Sequence, residues 1–207
     1  MTTILVTGAT GTVGSTLIPL LRARGRDVRA LVRDPDRAQR ISAAGAQIVQ
    51  GDFGNPASLR AALDGVFLAC GNVPAQVEHE CGVIDETERS GARRIVKLSA
   101  RGAAEGSPVA YWHWHAMIER HLRMSSTPAT VLRPRFLMTN LLGAAEGVRH
   151  QGMLFAPAAD ARIAMIHPGD VAAVAAVALT ESGHDGRTYV LTGPEAMTYQ
   201  RASRRSC

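Results

Sequence analysis

Seven residues near the amino terminus carry the first chemical signal. Gly8-Ala9-Thr10-Gly11-Thr12-Val13-Gly14 spaces its glycines GxxGxxG, directly after the strand-like run 3–7. Gly8 suits a tight exit from a strand, Gly11 a close backbone approach to a pyrophosphate, and Gly14 close packing of a helix on a sheet. A helix beginning there points unpaired N–H groups at an anion. The plain alternative is a glycine-rich turn with no ligand. A strand before the loop and a helical pattern after it favour dinucleotide binding, with Gly8, Thr10, Gly11, Thr12, Val13 and Gly14 as the cradle.

Residues after the other strand-like runs extend the same chemistry. Arg33 follows the run 28–32, where a site for NAD usually places an acid on the ribose diol. A guanidinium suits an adenosine 2′-phosphate, so the reading favours NADP(H) over NAD(H). Asp34 then caps the next helix; alternatively it grips the ribose and Arg33 is a solvated charge. Asp52 and Phe53 follow the run 46–49. The carboxylate could accept from an adenine amino group and the ring could cover the base; otherwise Asp52 caps its own loop. Cys70, Gly71 and Asn72 follow the run 66–69, where the glycine permits close approach to a ribose. Cys70 reads as a small buried residue and not a nucleophile, since nothing adjacent in sequence lowers its pKa.

These residues need a scaffold that brings strand ends together. Apolar β-branched runs alternate with helical patterns: helices at 12–24, 34–45, 55–63, 75–90 and 109–124 separate strands at 3–7, 28–32, 46–49, 66–69, 94–98 and 130–132. Pro19 lies inside the first helix and predicts a kink there. Helical patterns at 141–148 and 171–179 and a strand at 189–191 follow, and 197–200 reads as the start of a helix. Such alternation implies an α/β fold, a doubly wound parallel sheet of order 3-2-1-4-5-6, with ligands at the carboxyl ends of the strands.

Composition agrees. The chain has 207 residues, 46% hydrophobic and 20% charged, which is globular and sufficient for one full core. The net charge of +5 is partly local, because Arg201, Arg204 and Arg205 stand in the last seven residues. It does not argue for a nucleic-acid partner. Lys97 is the single lysine, so any chemistry that needs an ammonium must use it. Three cysteines without a CxxC pair argue against a disulfide framework or a zinc site and fit a reducing cytoplasm. No apolar run approaches the ~18 residues of a membrane helix, and no signal peptide is recognisable. His113 and His115 diverge on a helix and lack a third ligand, so no metal is expected.

Taken together, the chain resembles the short-chain dehydrogenases/reductases, and within them the atypical NmrA-like branch of quinone and azo reductases and redox-sensing regulators. The resemblance rests on the glycine loop, Leu31-Val32-Arg33, Gly51-Asp52 and Leu98-Ser99. It continues through Glu119 and Leu122 to Leu132-Arg133-Pro134, Asn140, and Ile166-His167-Pro168-Gly169-Asp170-Val171-Ala172. It implies a Rossmann-type domain over 1–195, with a small substrate lobe built from about 136–195 and a disordered tail at 196–207. It also implies that the lobe is abbreviated, leaving the pocket open or completed by a second subunit in a homodimer.

The superfamily's catalytic set is Ser, Tyr and a Lys four residues after the Tyr. Here the resemblance places Ser99 and Tyr111, with His115 where the lysine would stand. His115 could donate to a ribose hydroxyl or carry a proton; the plainer alternative makes Tyr111 a packing residue and His115 a wall residue. The resemblance puts Pro134 beside the nicotinamide carboxamide, with Arg135 replacing the family's glycine at the pocket edge. Arg135 either attracts an anionic substrate or faces solvent. Trp112 and Trp114, two apart, point to different helix faces, so at most one offers a flat surface to an aromatic substrate.

The expected function is NADPH-dependent hydride transfer to a carbonyl, quinone or similar small-molecule acceptor. A non-catalytic NADP(H) sensor and a redox-neutral cyclase or epimerase are the alternatives.

Overall fold

The computed structural model describes residues 3–54, 65–151, 161–199 and 201. Seven parallel strands form the main sheet in the order β3-β2-β1-β4-β5-β6-β9. They are β1 (Thr3–Val6), β2 (Asp27–Val32), β3 (Gln47–Gln50), β4 (Gly65–Leu68), β5 (Ile95–Leu98), β6 (Ala129–Pro134) and β9 (Thr188–Leu191). The expected order of six is present, and β9 adds a seventh strand beside β6, with Leu132 opposite Tyr189. The doubly wound Rossmann-type arrangement is therefore the fold.

Period-two alternation divides the sheet's side chains between two helical layers. Ile4, Val6, Phe67 and Val96 pack with α1 (Thr12–Ala23) and α6 (Pro168–Thr180) in one core. Leu5, Val66, Leu68 and Ile95 pack with α3 (Gln76–Arg89) and α4 (Ala110–Met124) in the other. β4 is buried along its whole length, as expected of a strand covered on both faces.

Local chemistry sets the helix boundaries. Asp34 accepts from the Asp36 N–H at 3.1 Å and starts a 3-10 turn, Pro35–Ala38, before the short α2 (Gln39–Ala43). His167 Nδ1 accepts from the Gly169 N–H at 3.0 Å, and Pro168 occupies the first turn of α6. α1 runs from Thr12 to Ala23 through Pro19, which is exposed, without a break in helical assignment. The helix expected over 55–63 lies outside the described residues.

A second, three-stranded sheet of order β10-β8-β7 follows β6. It consists of β7 (Phe136–Leu137), β8 (Ile163–Ile166) and β10 (Ala196–Met197), around a small core of Met165 and Met197. Sequence periodicity is silent on strands of two residues. The 3-10 segment Met138–Ala144 and α5 (Ala145–Gln151) fill the interval that reads as helical over 141–148. The disordered tail expected from 196 does not begin there: Ala196 and Met197 pair antiparallel with β8, and the helix read from 197 starts at Tyr199. Tyr199 packs edge-on to Phe136, and Arg201 pairs with Glu195 at 2.5 Å. The tail expectation therefore fails over these positions, and residues 202–207 lie outside the described set.

Candidate functional site

The carboxyl ends of β1, β2, β3 and β4 open into one cleft of about 410 Å³. Its floor is the glycine loop. Gly8 has a φ of +58°, the left-handed region, and a Cβ there would lie 2.9 Å from the Ala69 carbonyl oxygen. A Cβ on Gly14 would lie 2.4 Å from the Gly8 carbonyl oxygen, so α1 meets the loop at a distance only glycine permits. Gly11 is the N-cap of α1 and gives no side-chain cap, and the first turn holds no acid. The helix therefore turns N–H groups and the positive end of its dipole toward the cleft, which fits a pyrophosphate.

Thr7 holds this end of the sheet together. Its buried hydroxyl accepts from the Ala69 N–H at 2.8 Å and reaches the Ala69 carbonyl at 3.0 Å. The ends of β1 and β4 are thus tied where the glycine loop leaves one and Cys70 leaves the other. The sequence offers only a weak signal for this, a β-branched hydroxyl where a fully apolar strand would continue.

The walls contain most of the residues expected to bind a dinucleotide. Gly8, Thr10, Gly11, Thr12, Val13, Gly14, Arg33, Asp52, Phe53, Cys70 and Gly71 all line this cleft. Arg33 is exposed, and its guanidinium has no protein partner among the described residues. Asp34 is engaged as the cap of the 3-10 turn. Asp52 accepts from the Gly54 N–H at 2.7 Å, so one carboxylate oxygen caps its own loop, as the plainer alternative expects. Phe53 stacks on His79 of α3 with ring centroids 5.8 Å apart and planes within 11°. His79 has no motif around it, and sequence reasoning missed it as a wall residue. Burial and the Glu80 carboxylate push the Cys70 thiol up, in keeping with an inert thiol.

Asn72, Ser99, Tyr111, His115 and Pro134 do not line this cleft. Asn72 is exposed. Ser99 is buried just beyond β5 and donates its hydroxyl to Glu119 Oε1 of α4 at 2.5 Å. Arg133 of β6 closes on the same carboxylate with two donors, at 3.0 and 2.5 Å, and that pairing raises its own pKa. Pro134 is buried, and its carbonyl accepts from the Arg101 N–H at 3.0 Å. Arg135 is exposed.

Tyr111 and His115 share a helix but differ in environment. Tyr111 is 37% exposed and meets Trp112 edge-on, whereas His115 is 6% exposed. The indole of Trp112 presses on Gly102, where a Cβ would come within 2.3 Å of the ring. His113 accepts from the Gly106 N–H at 3.1 Å. Trp112 and His113 thus pin the loop between β5 and α4.

His115 faces a buried polar group that the sequence reading did not anticipate. Ile95, Lys97 and Ser99 alternate to the α3/α4 side of the sheet, and Lys97 is fully buried. Its ammonium lies 2.7 Å from Glu80 Oε2 and 3.4 Å from His115 Nδ1. Gln76, one turn before Glu80, donates to Glu80 Oε1 at 3.0 Å and lies 3.5 Å from the same imidazole nitrogen. Desolvation and the Lys97 charge push His115 down to about 3. The ring is neutral near pH 7, so it offers one N–H donor and one lone pair. Lys97 lies inside the strand-like run 94–98, and strand alternation is the sequence signal that could have brought it to His115.

Among the described residues, no group of three or more His, Cys, Asp or Glu could hold a metal, and no helix is long and apolar enough to cross a membrane.

Known proteins share this sequence and architecture. Residues 8–182 match a family described as NAD(P)H-binding. The chain is similar to an NAD(P)H azoreductase of Xenophilus azovorans, 36% identical over 198 residues that make up 94% of this chain and 69% of the relative. It is also similar to a (4-alkanoyl-5-oxo-2,5-dihydrofuran-3-yl)methyl phosphate reductase of Streptomyces griseus, 41% identical, with the same two coverages. The NADPH-dependent quinone oxidoreductase of Escherichia coli, solved with NADPH, superposes with a TM-score of 0.86. It is 29% identical, with 98% of this chain and 75% of that one covered.

Proposed function

This chain belongs to the NAD(P)H-binding family, and we propose that it is an NADPH-dependent oxidoreductase passing hydride to a carbonyl, quinone or similar aromatic acceptor. The relatives support NAD(P)H-dependent oxidoreductase chemistry in general. The observation that carries the finer reading is the cleft itself. It joins an uncapped helix start to an exposed guanidinium, just after the next strand, that has no partner among the described residues.

In this reading the glycine loop and the first turn of α1 hold the pyrophosphate, and Arg33 holds the 2′-phosphate. Phe53 and His79 flank the adenine end, where Asp52 keeps one oxygen for the amino group. Cys70, Gly71 and Asn72 follow the ribose, and Pro134 borders the carboxamide. Bound NADPH supplies the hydride. Ser99 and Tyr111 address the acceptor oxygen, and the neutral His115 donates toward the ribose. The small sheet forms the acceptor lobe, and a second subunit completing it would show as a dimer in sedimentation.

A second reading, an NADP(H) sensor without turnover, draws on the exposure of Tyr111 and the neutrality of His115. Calorimetry with NADPH, followed by NADPH oxidation across a carbonyl and quinone panel, separates the two. Turnover supports the oxidoreductase, binding without turnover supports the sensor, and absence of binding refutes both.

A further inference from the structure

We propose that Lys97, anchored by Glu80, is a positioning residue that locks His115 in its Nε2–H tautomer, so that the ring meets its ligand only as a hydrogen-bond donor. The proposal rests on the reading of the cleft as a nicotinamide site and specifies how one residue of that reading is set.

The geometry allows little else. An ammonium has only donors, so Lys97 can approach His115 Nδ1 at 3.4 Å only if that nitrogen offers a lone pair. Gln76 approaches the same nitrogen at 3.5 Å, also through its NH2. Its orientation is set by Glu80, because the NH2 must face the carboxylate at 3.0 Å; the reversed amide would put two oxygens together. Two donors on Nδ1 place the ring proton on Nε2. Lys97 also donates to the Leu98 carbonyl, which fixes the ammonium beside the backbone of β5.

The charged and titratable surroundings come from three elements. Glu80 lies on α3 and Lys97 on β5, and Cys70 follows β4 and feels both. A buried ion pair is a poor source of net stability. Here it sits beside one imidazole and holds that ring's protonation pattern. A group facing Nε2 must then be an acceptor, such as a ribose hydroxyl oxygen or a carbonyl oxygen.

Long-range proton–nitrogen correlation on protein labelled with 15N-histidine tests this in the ligand-free wild type. His115 should show a protonated Nε2 and a bare Nδ1, unchanged from about pH 5 to 8. A protonated Nδ1, or titration within that range, would overturn the proposal without any variant. In Lys97→Met/Glu80→Leu, which removes the pair without stranding a charge, His115 should become a tautomer mixture. The NADPH Kd should then rise about two- to tenfold, as expected when a ribose hydrogen bond is lost. An altered tautomer with unchanged NADPH Kd would mean that the network only packs the fold, and the positioning role would be lost. If the wild type bound no NADPH, the reading of the cleft would fail while the spectrum still decided the tautomer. If the double variant does not fold, the wild-type spectrum alone decides.

Discussion

Ser99 donates its hydroxyl to Glu119 Oε1 across 2.5 Å, so it must turn that proton away from Glu119 before it can donate to a ligand oxygen. The carboxylate that takes the proton is 2% exposed and is also bound twice by Arg133. Glu119→Ala takes the partner from buried Ser99 and from the part-exposed Arg133 at once. It should lower unfolding free energy by about 2–4 kcal/mol, as expected for losing charge-assisted hydrogen bonds. Ser99→Ala, which leaves the Arg133 pairing intact, should lose only about 1 kcal/mol. Urea melts of the two variants check the ordering, and equal losses would contradict it.

Arg33 is the test of cofactor choice. Charge-assisted hydrogen bonds contribute about 1.5–3 kcal/mol, so Arg33→Ala should weaken NADPH binding roughly 10- to 100-fold. NADH, which has no 2′-phosphate, should bind nearly as before. Titration calorimetry with both nucleotides gives the answer, and equal weakening would remove the guanidinium from the phosphate site.

Gly14 carries the close approach of α1 to the loop. A methyl group there meets the Gly8 carbonyl oxygen at 2.4 Å and the Ala9 Cα at 3.0 Å, both backbone. Gly14→Ala should therefore move the helix start and destabilise the fold by about 1–3 kcal/mol. NADPH affinity should fall with it. Gly25→Ala is the comparison: its added Cβ meets nothing within 4 Å, but its φ is +70°, so its effect should be on stability alone.

Acid should act through His115. Its folded pKa, about 3, lies below the unfolded value, so the unfolded chain takes up a proton that the native ring refuses. The stability this contributes is present above about pH 6.5 and is lost as pH falls toward 3. Within that window the wild type should lose about 1.4 kcal/mol per pH unit from this site. Burial raises the Glu80 pKa, which acts in the opposite sense, favouring the folded state at low pH. Comparing wild type with His115→Leu isolates the imidazole. The variant's acid slope should be shallower by about one proton, and parallel curves would refute the assignment.

The fold was legible because its signals are periodic and its punctuation is chemical. Runs such as Ile4-Leu5-Val6, the glycines after them, and Asp34-Pro35 each dictate a local conformation, and they agree with one topology. β7 and β10 were not legible, since two residues carry no period and their pairing depends on Met165 and Met197 meeting across the chain. The residues that gather in the cleft were legible for the same reason as the strands, because they sit at strand ends. His79 and the Lys97–Glu80–His115 group were not, since their elements cross only in three dimensions. Tyr111 shows the limit of register: spacing to His115 places it on α4 but does not tell that it is 37% exposed while His115 is buried.

The single lysine has a practical corollary. Its ammonium is wholly enclosed, and no other ε-amine exists in the chain. Apart from the amino terminus, amine-reactive dyes and lysine-directed proteases therefore find nothing to attack while the protein is folded. Modification of Lys97 would occur only when the sheet opens between α3 and α4. A mass increment at that residue would thus count global opening events directly, giving this protein an intrinsic clock for its own unfolding.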